Sequence, residues 1–146
     1  MPILQYIQGD LLSHNGPIAH GCSAQDKMNS GVAKAIRKSY PDAYDVYANW
    51  PDLKLGGVIP RFISEGFTSN QVYSIIVQTN YGYDGMCYVN SAAVASAFNK
   101  LNHKTDLVLG IPKIGAGLGG GNWGIIERVI NDATPDLPIY VYVLPV

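Results

Sequence analysis

The sequence predicts an α/β protein of three layers, with a mixed central sheet and helices on both of its faces. Three observations carry that prediction. Strand-like and helix-like segments alternate through most of the 146 residues. A buried strand runs into a loop with five glycines in seven positions, Gly115 to Gly121, and then into a helix. The chain is 47% hydrophobic and only 14% charged, and its length suits one domain with a full core, residues 1–146.

Taken in order, Ile3 to Ile7 alternates apolar and polar residues and reads as a strand that ends in Gly9-Asp10-Leu11. Asp10 there either caps a turn or accepts a hydrogen bond from a ligand amine. Pro17 to Cys22 is a second apolar run with His20 inside it, followed by a polar loop from Ser23 to Gly31. Val32, Ala33, Ile36 and Tyr40 recur at helical spacing until Pro41 breaks the pattern, and Asp42 to Trp50 reads as a second short helix. Lys54 to Ser64 is a strand region that Pro60 restricts to an edge or a bulge. Thr68 to Gln71 reads as a turn, Val72 to Gln78 as a central strand, and Asn80 to Gly85 as a loop carrying Tyr81 and Tyr83. Tyr88 to Leu101 is helical, with Val89, Ala93, Ala97 and Leu101 four apart and Asn90 as a cap. Leu107 to Ile111 is a strand, the last helix ends near Ala133, and Ile139 to Leu144 is the final strand.

The chemistry concentrates where strands end. Glycines let a backbone approach an oxyanion closely, and the start of a helix offers unpaired N–H groups and a favourable dipole. The loop from Gly115 to Gly121 is therefore an anion site, with a flexible turn as the plain alternative, and Asn122 is placed to cap the helix that follows. Gly115, Gly117 and Gly120 match a dinucleotide fingerprint only loosely, because too little chain remains for a nucleotide-binding half. No Gly-Lys-Ser or Gly-Lys-Thr follows, so the triphosphate machinery is missing. The Ser23 to Gly31 loop repeats the theme of strand, small-residue loop and helix start. In a sheet of this kind ligands sit beyond the carboxyl ends of the strands. That gathers Asp10, the Ser23–Gly31 loop, the loop after Gln78 and the glycine loop around one cleft, which suits a diphosphate with a base or ribose at the acidic rim.

Composition narrows the partners. Net charge is -1 and lysines and arginines form no run, which argues against a nucleic-acid backbone binder. Cys22 and Cys87 make no disulfide framework, and with no CxxC or HxxxH spacing they make no zinc site. Without a signal peptide or a long apolar run, the expected location is cytoplasmic, with no membrane partner. His14 and His103 sit in surface-like contexts and are expected to be inert.

With these residues in place the chain resembles a macrodomain, the fold that binds ADP-ribose. The resemblance runs almost end to end and rests on Gly9-Asp10-Leu11, on His20 to Tyr47 and on Ile111 to Trp123. Within the second segment, Met28, Gly31-Val32-Ala33 and Tyr40-Pro41-Asp42-Ala43-Tyr44 resemble the small stand-alone macrodomains. That group includes ADP-ribose 1″-phosphate phosphatases and terminal ADP-ribose glycohydrolases. The resemblance implies that Asp10 accepts from the adenine amino group, beside Leu11. It implies that Ser30, Gly31 and Val32 form the first phosphate loop. Gly115, Ala116, Gly117, Leu118 and Gly119 would wrap the diphosphate and distal ribose, with Ser23, Gln78 and Tyr81 (or Tyr83) lining the site. No cofactor and no metal are expected, and the protein is expected to be a monomer.

The departures bear on catalysis. Ser23 stands where macrodomains often have a ribose-contacting Asn, Asn29 replaces a loop glycine, and Asp26-Lys27 replace smaller residues. The glycohydrolase lysine falls on Gln78 and its aspartate on Gly119, so a lysine-adduct mechanism is not expected. His20 occupies a position where the phosphatase branch has a histidine and is the candidate catalytic residue, a proton carrier or nucleophile near neutral pH. Three readings follow: a hydrolase of ADP-ribose 1″-phosphate or a related derivative, a hydrolase that releases ADP-ribose from a protein or nucleic acid, and a reader that binds ADP-ribose without turnover.

Overall fold

The computed structural model describes residues 4–23, 31–51, 53–65, 68–78, 89–102, 108–114 and 121–143. Among these, six strands form one mixed sheet in the order β1-β6-β5-β2-β4-β3. The strands are β1 Gln5–Gln8, β2 Ile18–Ser23, β3 Val58–Glu65, β4 Thr68–Gln78, β5 Leu109–Ile111 and β6 Ile139–Val143. All run parallel except β3, which pairs antiparallel with β4 at the far edge. The helices are α1 Gly31–Ser39, α2 Pro41–Ala48, α3 Ser91–Leu101 and α4 Trp123–Ala133, with a one-turn 3-10 helix at Leu11–Ser13.

The strand pattern explains the layers. Val72 to Val77 of β4 are all buried, as expected of a strand covered on both faces, and the sequence there is nearly all apolar. On one face Tyr73, Ile75 and Val77 join Ala19, Leu109, Ile111 and Val141 beneath α3 and α4, which contribute Val94, Ala97, Phe98, Leu101, Ile126 and Ile130. On the other face Val72 and Ile18 meet Ile36 of α1 and Leu11, while Ile76, Cys22 and Ile59 meet Tyr47 of α2. Two helices therefore lie on each face of the sheet, the three-layer arrangement expected.

Local signals hold where the chemistry is local. Asn90 caps α3 by accepting from the Ala93 N–H at 2.9 Å, and Asn122 caps α4 by accepting from the Ile125 N–H at 3.3 Å. Pro41 ends α1 and opens α2 at its first turn. Pro60 lies in β3, the edge strand. Four boundaries differ. Thr68 to Gln71 are not a turn but the start of β4, because they pair with Phe62 to Glu65 of β3 and the reversal falls between Glu65 and Thr68. Lys54 to Gly57 precede β3 as a tight turn, closed by the Gly57 N–H donating to the Lys54 carbonyl at 2.9 Å. Helix α3 begins at Ser91, after its cap, rather than at Tyr88, which lies outside the described residues. Helix α2 ends at Ala48 rather than Trp50.

The connection from β1 to β2 must cross β6 and β5 to reach its place in the sheet. It does so as a bare segment lying on the sheet. His14 sits over Gly110 so closely that a Cβ there would lie 2.8 Å from its ring. Its Nε2 lies 2.9 Å from the Val108 carbonyl oxygen and its Nδ1 lies 2.7 Å from the Tyr142 hydroxyl. A carbonyl can only accept, so Nε2 carries the proton and Nδ1 accepts from the tyrosine. His14, expected to be an inert surface residue, is instead the half-buried clamp that holds the crossover down; His103 lies outside the described residues.

Candidate functional site

The parallel strands bring their carboxyl ends to one rim. Along it stand Asp10 after β1, the ends of β5 and β2, and Gln78 at the end of β4. From β1 to β4 is four strand spacings, about 19 Å at about 4.8 Å each. Between β5 and β2 the chain leaves in opposite directions. The segment after β5 leads to α4 on the α3 face, and the segment after β2 leads to α1 on the other face. That divergence is a topological switch point, where open α/β sheets form their ligand crevice. Neither α1 nor α4, the helices reached from β2 and β5, has an acidic residue in its first turn to compete for an anion.

Asp10 is exposed and caps the 3-10 turn, with Oδ1 accepting from the Leu12 N–H at 3.0 Å. One carboxylate oxygen is thus spent on the turn and the other makes no bond to a described residue, so the capping role and a ligand role occupy different oxygens. Leu11 is buried with Ile18, Ile36 and Val72, so its side chain belongs to the core and any ligand contact comes from its backbone. Ser23 ends β2 opposite Gln78, after an irregularity in the ladder: Cys22 pairs with Ile76 and Ser23 with Gln78. The extra residue, Val77, turns its carbonyl to accept from the Asn90 N–H at 2.6 Å, tying the rim to the start of α3. Gly31 and Val32 form the first turn of α1. Ser30, Tyr81, Tyr83, Cys87 and Gly115 to Gly119 lie outside the described residues.

His20 lies inside the molecule. It is 1% exposed, with Nε2 3.0 Å from the Ser74 hydroxyl and Cys22 Sγ 3.6 Å from Nδ1. This small polar group sits between the apolar contacts of α1 and those of α2. Burial pushes the imidazole pKa down from 6.5 to about 4, because a charged ring would lose its hydration. Burial also pushes the Cys22 thiol up to about 12, against the opposing effect of its bond with Ser74. Both groups are neutral at pH 7. His20, the candidate proton carrier or nucleophile, is thus an uncharged and buried imidazole within β2.

Two features of this region escaped the sequence reading. Trp123, the first residue of α4, donates its indole N–H to the Tyr6 hydroxyl at 2.9 Å and ties the helix beyond the glycine loop to β1. Tyr140 and Tyr142 flank His14 edge-on, with ring centroids at 6.1 and 5.3 Å. The alternate tyrosines of Ile139 to Val143 were the available signal, since a strand in a half-covered layer places them on one face. Among the described residues no group of three or more His, Cys, Asp or Glu side chains is placed to hold a metal, and no helix is long and apolar enough to cross a membrane.

No family model matches the sequence. The chain is 31% identical over 152 residues to an uncharacterised 17.5 kDa protein of the tk-vs intergenic region of Enterobacteria phage T4, covering 95% of both. It is 23% identical over 172 residues to the ADP-ribose 1″-phosphate phosphatase of Scheffersomyces stipitis, covering 95% of this chain and 99% of that one. The fold superposes on the macrodomain of Mycobacterium tuberculosis DarG with a TM-score of 0.80, at 16% identity over 97% of this chain and 98% of that one. The end-to-end similarity and the superposition agree: the chain has the macrodomain fold.

Proposed function

We propose that the crevice binds ADP-ribose and that the protein hydrolyses an ADP-ribose derivative, with ADP-ribose 1″-phosphate as the leading substrate. The observation that carries this reading is the rim itself. The strands on either side of the switch point lead into α1 and α4, neither with an acidic residue in its first turn, and Asp10 stands at the β1 end of a rim about 19 Å long. That spacing suits a long ligand with a diphosphate in its middle and an amine-bearing base at one end. In this reading the free oxygen of Asp10 accepts from the base beside Leu11. The backbones of Ser30, Gly31, Val32 and Gly115 to Gly119 hold the diphosphate, with Ala116 and Leu118 in that loop. Ser23, Gln78 and Tyr81 line the distal part. The 146 residues act as one domain, and the protein works as a cytoplasmic monomer. The similarity to a protein named for ADP-ribose 1″-phosphate phosphatase activity supports the choice of substrate.

Two measurements test it. Calorimetry is expected to show ADP-ribose binding much tighter than AMP, and Asp10→Ala is expected to weaken it by about 1.5–3 kcal/mol through loss of one charge-assisted hydrogen bond. Release of inorganic phosphate from ADP-ribose 1″-phosphate tests turnover; absence of ADP-ribose binding at high protein concentration sinks the whole reading. The burial of His20 favours one second reading, a binding protein that turns nothing over. Tight ADP-ribose binding with no product from ADP-ribose 1″-phosphate, ADP-ribosylated protein or ADP-ribosylated DNA selects it. If turnover occurs, the buried setting predicts that His20→Gln keeps it within about tenfold, whereas a proton carrier would be worth roughly 10²–10⁴.

A further inference from the structure

β1 is the last strand on its side of the sheet, and among the described residues it pairs with β6 alone. Between β1 and α4 lies a cavity of about 320 Å³, lined among the described residues by Leu4, Tyr6, Gly124, Glu127, Arg128 and Asn131. We propose that β1 takes up an extended peptide as an added strand, with a basic side chain of that peptide held by Glu127 and Asn131 and an acidic one, two residues along, held by Arg128.

The strand side supplies the backbone. An edge strand offers unpaired N–H and C=O groups, and proteins commonly block them with a charged side chain or a proline. Gln5-Tyr6-Ile7-Gln8 has neither. Residues two apart on a strand share a face, and Leu4 and Tyr6 share the one that meets α4. Leu4 packs in one apolar cluster with Ile126 and Ile130, and the Tyr6 hydroxyl accepts from the Trp123 indole N–H at 2.9 Å. An added strand repeats the alternation, so every second side chain of the peptide falls beside Leu4 and Tyr6, toward α4. Tyr6 is 47% exposed, which leaves its ring able to cover the stem of a long side chain.

The helix side selects the peptide. Asn131 Oδ1 is buried and accepts no hydrogen bond from a described residue, a costly arrangement unless something else supplies the donor. Glu127 lies one turn before Asn131 on the same helix face and makes no hydrogen bond or ion pair with a described residue. Two acceptors side by side, one of them charged, call for a donor-rich cation such as an ammonium or a guanidinium. Arg128 is exposed and also has no ion pair with a described residue. It repels a peptide that carries basic side chains only, so an acid is required at the next position on that face, about 7 Å from the base. The proposal stands whether or not the switch-point crevice takes ADP-ribose.

The test follows the indole N–H resonance of Trp123, identified as the one of two that Trp123→Phe removes. The protein is titrated with the capped peptide acetyl-Thr-Lys-Val-Glu-Thr-amide, with and without saturating ADP-ribose. A saturable shift is expected in both, weakened about tenfold or more by Glu127→Gln or by glutamine in place of the peptide's lysine. The two changes together should cost little more than either alone, because both remove the same contact. Asn131→Leu is expected to lose binding yet melt no lower than wild type, since it removes a buried acceptor that folding leaves unpaired. Of two further peptides, N-methylated at the lysine or at the valine, the one whose blocked nitrogen faces β1 should fail. The proposal is overturned by no shift at about 1 mM peptide, by a shift that ADP-ribose abolishes, or by full binding of both N-methylated peptides. It is equally overturned if acetyl-Thr-Val-Lys-Glu-Thr-amide binds as well as the parent, or if Asn131→Leu melts lower and binds normally.

Discussion

His14 and His20 are six residues apart on one crossing of the sheet, yet the fold gives them opposite settings. His14 lies on the face of β5 and β6 opposite α3 and α4. It is half-buried, and its ring nitrogens are bonded to Tyr142 of β6 and to Val108, the residue before β5. His20 lies where α1 and α2 cover β2 and β4, fully buried, with Ser74 and Cys22 as its polar neighbours. The crossover from Asp10 to Pro17 grips the sheet through Leu11 and Leu12 at one end, and the polar clamp of His14 holds its middle. A layer made of helices is held by apolar contact, and a histidine within it survives only by staying neutral. The residue with the reactive reputation is thus the shielded one, and the residue that looked idle holds the chain that presents Asp10.

The largest expected effect tests the shielded side. The folded pKa of His20 is about 4 and the unfolded value 6.5. Between these two pH values the unfolded chain takes up a proton that the folded chain refuses, so stability falls as pH falls through that window and levels off below it. The loss is roughly 3 kcal/mol in order of magnitude. Urea melts of wild type and His20→Gln at pH 7 and pH 4 isolate it from the carboxylates: the wild type should lose that much more than the variant. Equal losses would show that His20 is charged or solvated in the fold.

Next comes the clamp from beneath. Gly110→Val places a branched side chain where the His14 ring lies, at a cost of about 1–3 kcal/mol or more. Since the crossover must lift, ADP-ribose affinity should fall with it. A variant that melts lower but binds normally would separate the clamp from Asp10. His14→Phe is milder. It keeps the packing on Tyr140 and Tyr142 and loses two hydrogen bonds, for an expected 1–2 kcal/mol by thermal denaturation, in keeping with about 1 kcal/mol per bond. The smallest effect falls on neither histidine. Asn122→Ala removes the cap of α4 and should cost about 1 kcal/mol, with a modest loss of ligand affinity if that helix start faces the diphosphate.

What the sequence by itself determined is short-range. The Asn90 and Asn122 caps, the helix break at Pro41, the edge position of Pro60 and the apolar run of β4 follow from residues within a few positions of one another. The motif Gly9-Asp10-Leu11 falls at the end of β1, and the two small-residue loops follow β2 and β5, because a strand end followed by a loop is written in consecutive residues. The extent of β4 was misread because polar Thr68 to Gln71 look like a turn until β3 is there to pair with them. Only the tertiary structure decided that the loops after β5 and β2 flank a switch point. It alone set His14 on Gly110, 96 positions away, and joined Trp123 to Tyr6. It also decided that His20 is dry. A histidine's protonation depends on what covers it, and here the covering residues come from α1, α2 and β4, whose approach no local pattern around His20 encodes.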